Sequence, residues 1–148
     1  MFISFKVELI MENFNVVAAI IYHDFKFLCA QRSESKFDYL SKKFEFPGGK
    51  VEEGESLTQA LKREIREELN LDIKIVSEYD SLNYSYPDFK VFITFFLCEV
   101  SSLDNLIVTE HHKLVWLNKN ELNTLDWAAA DVPIVQKLKN TKSSFRLV

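Results

Sequence analysis

GGKVEEGESLTQALKREIREELNL, residues 48–71, is the most informative stretch of this chain. Its second half has a helical period. Leu57, Ala60, Leu61, Ile65 and Leu69 recur at spacings of three and four, the mark of an apolar stripe on an α-helix over 56–69. Ser56, with Gln59 three residues on, reads as a capping box at its start. On this helix Glu64, Glu67 and Glu68 fall within an arc of about 100°. Three like charges that close repel one another, and they sit away from the helix N-terminus, where negative charge is favourable. A hard divalent cation, Mg²⁺ or Mn²⁺, resolves the conflict. The competing reading is a solvated acidic face offset by Lys62, Arg63 and Arg66. What precedes the helix favours the cation. Gly48-Gly49, then Glu52, Glu53, Gly54 and Glu55, set glycines that allow close backbone approach beside loop carboxylates. A strand-loop-helix unit of this kind can bring backbone carbonyls to the acidic cluster.

Outward from this segment the chain is mostly strand. Val16–Tyr22 and Lys26–Cys29 are apolar, partly β-branched runs joined by a tight turn at His23-Asp24-Phe25. Arg32–Lys43 is polar and loop-like, and Phe44–Phe46 leads into the breaker Pro47-Gly48-Gly49. Ile73–Ser77, Ser81–Tyr86, Val91–Val100 and Lys113–Leu117 read as further strands, with a turn at Pro87-Asp88. A second helix is expected over Asp131–Asn140, with Asp131 near its cap and Pro133 in its first turn. Strands mixed with two helices far apart in sequence make this an α/β chain: a mixed sheet between helices, in one domain spanning 1–148. Residues 1–12 carry no motif; an extra edge strand or a homodimer contact are the two expectations for them.

The composition fits a folded domain, with 47% hydrophobic residues in 148. The longest apolar runs are too short to cross a bilayer, and the start does not read as a signal peptide, so no membrane is expected and the compartment is the cytoplasm. Cys29 and Cys98 lie in apolar runs without a metal or disulfide spacing. A net charge of −4 with no Lys/Arg run excludes a general grip on nucleic acid. A polyanionic substrate would then need bound cations to draw it in.

Gly49, five residues, Glu55, seven residues, then Arg63-Glu64-Ile65-Arg66-Glu67-Glu68-Leu69-Asn70-Leu71 resembles the Nudix box. Every defined position matches except Asn70, where the family has glycine. Asn is the next-best residue for the left-handed conformation wanted after a helix, so a small stability cost and intact chemistry are expected. The resemblance implies an α/β/α sandwich and a hydrolase of phosphoanhydride bonds. It implies that Glu67 and Glu68 bind metal and that Glu64 binds metal or prepares the attacking water. It also implies that the Gly48 carbonyl joins the metal shell and that Glu55 and Arg63 orient the carboxylates.

Val16–Leu97, with Phe46-Pro47-Gly48-Gly49-Lys50 and Tyr84-Ser85-Tyr86-Pro87-Asp88, is similar to the MutT-type nucleoside triphosphate pyrophosphohydrolases. That branch implies a further metal-binding Glu six residues before a Trp. Glu110 before Trp116 fits, against an ordinary surface glutamate, and Asp104 is the weaker candidate. It implies Asp131 as a contact to the base, against a plain helix N-cap. A carboxylate there could accept from guanine or cytosine but would match the acceptor edge of uracil poorly. It implies Tyr86 as an aromatic wall, against a core residue, and Arg32 and Lys50 as phosphate contacts, against surface charges. His23, His111 and His112 are assigned no role, the adjacent pair being expected on opposite faces of a strand. The implied reaction is Mg²⁺-dependent hydrolysis of a nucleoside triphosphate to monophosphate and pyrophosphate, with 8-oxo-dGTP or (d)CTP as leading substrates. The alternatives are another diphosphate compound (a nucleotide sugar, ADP-ribose, a dinucleotide or a capped RNA) and an idle nucleotide-binding module.

Overall fold

The computed structural model describes residues 11–141. Its centre is β1, Glu12–His23, whose run VVAAII is buried on both sides. Val17, Ala19 and Ile21 face one core while Ala18 and Ile20 face the other. That is why the strand reads as a continuous apolar run without polar alternation. It starts earlier than its apolar stretch because β6, Phe89–Glu99, pairs with it in parallel from Glu12↔Phe89 to Tyr22↔Glu99. The ladder recruits the polar residues ahead of the core.

β2, Lys26–Gln31, returns antiparallel from a two-residue turn in which Asp24 and Phe25 both take positive φ (51° and 65°). This is the backbone that a tight hairpin demands. β2 then splits the sheet: it pairs β3, Phe44–Glu45, through its last two residues and β7, Lys113–Leu117, along its length. β4, Gly48–Lys50, lies on β1 instead. β5 is a single strand, Lys74–Ser85, where the sequence suggested two. Register shifts at Ile75/Ser77 and Glu78/Asp80 absorb the irregular stretch as bulges while pairing to β6 continues. The sheet is mixed and seven-stranded among the described residues, with path β3-β2-β1-β6-β5.

One face is covered by α1, Leu57–Leu69, through Ala60, Leu61, Ile65 and Leu69. The capping box forms as read: the Ser56 hydroxyl accepts the Gln59 N–H at 3.1 Å, and the Gln59 side chain accepts the Ser56 N–H at 2.9 Å. α2, Val132–Asn140, covers the other face through Ile134, Val135 and Leu138. Helix, sheet and helix form the three expected layers. Cys29 and Cys98 are buried in opposite cores, and burial pushes both thiols up to about 12, so both stay protonated and inert. No helix among the described residues is long and apolar enough to cross a membrane. The expected edge strand or dimer contact at the N-terminus lies outside the described residues, apart from Met11 and Glu12.

Candidate active site

The site forms where β4 meets α1. Ala19 N–H donates to the Pro47 carbonyl and Val51 N–H to that of Asn15, at 2.8 and 2.9 Å. Alternation along an antiparallel ladder then turns the peptide groups of Gly48 away from β1, leaving its carbonyl free to face the site. A Cβ on Gly48 would lie 1.9 Å from the Val17 carbonyl oxygen. One on Gly49 would lie 2.4 Å from the Glu64 carboxyl carbon. These two glycines exist for close approach, one to the sheet and one to a carboxylate.

Arg63 organises the loop. Its Nε and Nη2 make a two-point contact with Glu55, at 2.7 and 2.9 Å, and Nη2 also donates to the Lys50 carbonyl at 3.0 Å. Its Nη1 donates to Glu64 at 2.8 Å and more loosely to Glu67 at 3.4 Å. The Glu55 carboxyl is held below its usual range by this guanidinium, whose own pKa rises in return. Glu64 moves up, chiefly because it is partly buried. Glu68 is the extreme case. Only 4% exposed, it has an Oε2 with no hydrogen-bond partner. Burial first, then the charges of Glu45, Glu64, Glu110 and Glu67, push it up to about 9.

Glu64, Glu67, Glu68 and Glu110 all border one open cavity of about 1000 Å³, together with Gly48, Arg32, Lys50, Tyr86 and Asp131. The structure thus brings together the expected residues, with Glu55 and Arg63 just behind them. Asp104 is not among the lining residues. Ten acidic side chains line the cavity against Arg32, Lys36 and Lys50. Such a field repels polyphosphate unless cations intervene. No three Asp, Glu, His or Cys side chains among the described residues converge into a ready-made coordination set. The donor chemistry nevertheless fits a hard cation: an unpartnered buried carboxylate oxygen, neighbouring carboxylates that hinder one another's ionisation, and a backbone carbonyl turned off its ladder.

Several side chains sit otherwise than their sequence suggests. The Tyr86 ring, 6% exposed, is stacked on Tyr39 (5.3 Å, 14°) and flanked by Tyr84 and Phe89, while its hydroxyl accepts the Ala130 N–H at 3.0 Å. Tyr39 takes one face and the ring is almost wholly buried, so little of it is left for a ligand. The plain N-cap reading of Asp131 fails: its carboxylate caps nothing, and Oδ2 accepts the Phe46 N–H at 2.8 Å across 85 residues. Burial, then Glu45, pushes it up to about 8. Burial thus favours the protonated form, and a protonated carboxyl can donate as well as accept, which widens the acceptor-only expectation. Lys50 lies over the Phe14 ring at 3.9 Å.

Glu45 carries no signal in the sequence, and His111 was expected to have no role, yet the two meet at the site. Glu45 accepts from Arg32 Nη1 at 2.9 Å, and its other oxygen lies 2.9 Å from His111 Nε2. The His111 side chain is only 4% exposed, and it precedes β7, so the strand-face reasoning that dismissed it does not apply. Its place directly after Glu110 was the available signal. Phe46, packed on Trp127 at 4.8 Å, adds a further aromatic to the wall.

The NUDIX domain family model matches residues 13–138. The chain is similar to the 8-oxo-dGTP diphosphatase of Escherichia coli K12, with 34% identity over 101 residues covering 68% of this chain and 78% of that protein. It is similar to the CTP pyrophosphohydrolase of the same organism, with 36% identity over 126 residues covering 85% and 91%. The solution structure of the MutT protein of methicillin-resistant Staphylococcus aureus 252 superposes with a TM-score of 0.68 at 40% identity, covering 88% of this chain and 98% of that one. With helix, loop glycines and acidic cluster in place, the chain belongs to the NUDIX domain family, as a MutT-like hydrolase of phosphoanhydride bonds.

Proposed function

We propose that this enzyme hydrolyses a nucleoside triphosphate to its monophosphate and pyrophosphate with Mg²⁺ or Mn²⁺, and that 8-oxo-dGTP or (d)CTP is the substrate. The observation that carries the reading is Glu68: a carboxylate oxygen buried without a partner, beside Glu64, Glu67 and Glu110 in one cavity. Nudix hydrolases generally use divalent metals, and the resemblance to an 8-oxo-dGTP diphosphatase and a CTP pyrophosphohydrolase supports both substrate choices.

Glu64, Glu67, Glu68, Glu110 and the Gly48 carbonyl would hold the cations. Bound there, a divalent cation supplies positive charge for the phosphate oxygens and for the charge that develops as the anhydride bond breaks. Glu64 is the base for the attacking water. One of its oxygens is engaged by Arg63, which leaves the other to take the proton. Arg63 and Glu55 fix the direction of that carboxylate. Arg32 and Lys50 contact the phosphates. Asp131, fixed by the Phe46 N–H, reads the base with its remaining capacity, next to the rings of Phe46 and the edge of Tyr86. No stable binding to a nucleic-acid chain is proposed, because carboxylates outnumber the basic side chains that line the cavity.

The test is a panel of canonical and oxidised nucleotides incubated with Mg²⁺, scored for which phosphates leave. Pyrophosphate with a monophosphate product is expected. Release of single phosphates, or turnover confined to nucleotide sugars or dinucleotides, would refute the triphosphate reading. Asp131→Ala should change the ranking of bases by about tenfold while Mg²⁺ dependence stays the same.

A further inference from the structure

Asn70 stands where the Nudix pattern has glycine. Its backbone is left-handed (φ 53°, ψ 40°), a conformation that glycine adopts freely and asparagine only at some cost. What the side chain adds is a hydrogen bond that glycine lacks: Asn70 Nδ2 donates to the Asn105 carbonyl at 3.0 Å. The loop it holds comes back to the same helix end. Ile107 N–H donates to the Leu69 carbonyl at 2.9 Å, and Thr109 N–H to that of Glu68 at 3.1 Å. The Thr109 hydroxyl reaches the carbonyls of Glu67 and Glu68 at 3.0 and 3.1 Å. These are carbonyls of the last helical turn, which have no partner within the helix. The next residue is Glu110, whose carbonyl accepts the Ser33 hydroxyl at 2.9 Å.

We infer that Asn70 and Thr109 are positioning residues that clamp the Glu110 loop to the end of α1, fixing Glu110 within the carboxylate group of Glu64, Glu67 and Glu68. The inference rests on the reading of those carboxylates as cation ligands. Glu110 is exposed, and its side chain makes no hydrogen bond among the described residues. Its place is therefore set by its backbone, which the clamp holds on one side and the Ser33 hydroxyl and Gln31 carbonyl hold on the other. The departure from the family pattern becomes a gain: a poorer left-handed residue exchanged for a tie to the ligand loop.

Mn²⁺ binding to the full chain, followed by the electron paramagnetic resonance signal of the free ion, tests this without any turnover. The proteins compared are the parent, Asn70→Gly, Thr109→Val, Thr109→Ser and Glu110→Gln. Asn70→Gly and Thr109→Val should bind Mn²⁺ up to about tenfold more weakly, as loss of a group that orients a ligand does. Thr109→Ser should restore parental binding. The thermal midpoint of Asn70→Gly should stay level or rise, because glycine relieves the backbone cost, so a lost fold cannot produce the weaker binding. If Glu110→Gln weakens Mn²⁺ binding while Asn70→Gly and Thr109→Val bind as the parent does, the clamp is wrong and Glu110 remains a ligand. If Glu110→Gln itself binds as the parent does, Glu110 is no ligand and the clamp has nothing to position.

Discussion

Glu67 is the best residue on which to separate chemistry from folding. Its side chain is 54% exposed and carries only a loose contact to Arg63, so Glu67→Gln should leave the thermal midpoint nearly unchanged. Turnover should fall about 100-fold or more, as expected when a group that stabilises developing charge is lost. Steady-state kinetics beside a melting curve checks both halves; parental turnover would remove Glu67 from the metal set. Asp131 makes a pH prediction. Its pKa is about 8 when folded against 3.8 as the unperturbed value. The folded chain thus holds a proton that the unfolded chain has released between about pH 4 and pH 8, and stability falls as pH rises through that window. Asp131→Asn cannot ionise, so its midpoint should vary less than the parent's between pH 5 and 8; equal slopes would show that another group titrates. Glu64, Glu67 and Glu68 were legible in sequence because helical spacing fixes which residues share a side. Glu45 and His111 were not, because their meeting depends on β3 and the segment before β7 lying on either side of β2's end. No local period encodes that.

Among the elements, β4 and α1 carry the sharpest demands. Gly48→Ala would drive a methyl group into the Val17 carbonyl, against backbone that cannot give way cheaply. A loss of about 2–3 kcal/mol is expected, read as a lower denaturation midpoint. For Gly49→Ala the three nearest atoms all belong to the Glu64 side chain, which gives way more cheaply than backbone at the expense of its contact to Arg63. Its stability should change less than that of Gly48→Ala, while turnover collapses because Glu64 is displaced. A Gly49→Ala protein with full turnover would refute the assigned place of Glu64. The capping box at Ser56 and the left-handed Asn70 were readable from residue type alone, since both are local hydrogen-bonding problems. The joining of two expected strands into β5 was not: bulges are held by the partner strand, and the sequence of one strand does not show its partner's register.

For the molecule as a whole, layer order followed from patterning. A run as apolar as the Val16–Tyr22 part of β1 must be covered on both faces, and two distant amphipathic helices supply the covers. The branching of the sheet at β2 was hidden, because pairing between segments 82 to 90 residues apart leaves no mark on either. The cavity itself lies among β1, β4, α1 and the Glu110 loop. A cavity this acidic should make the protein's stability respond to divalent ions: added Mg²⁺ should raise the thermal midpoint of the parent by more than that of Glu67→Gln. The most direct measurement is product analysis of 8-oxo-dGTP and dCTP incubated with the purified chain, in Mg²⁺ and in excess chelator. Monophosphate and pyrophosphate should form from at least one of them with Mg²⁺ and from neither with chelator. Undiminished hydrolysis in chelator would contradict the assignment of the acidic cluster as a cation site.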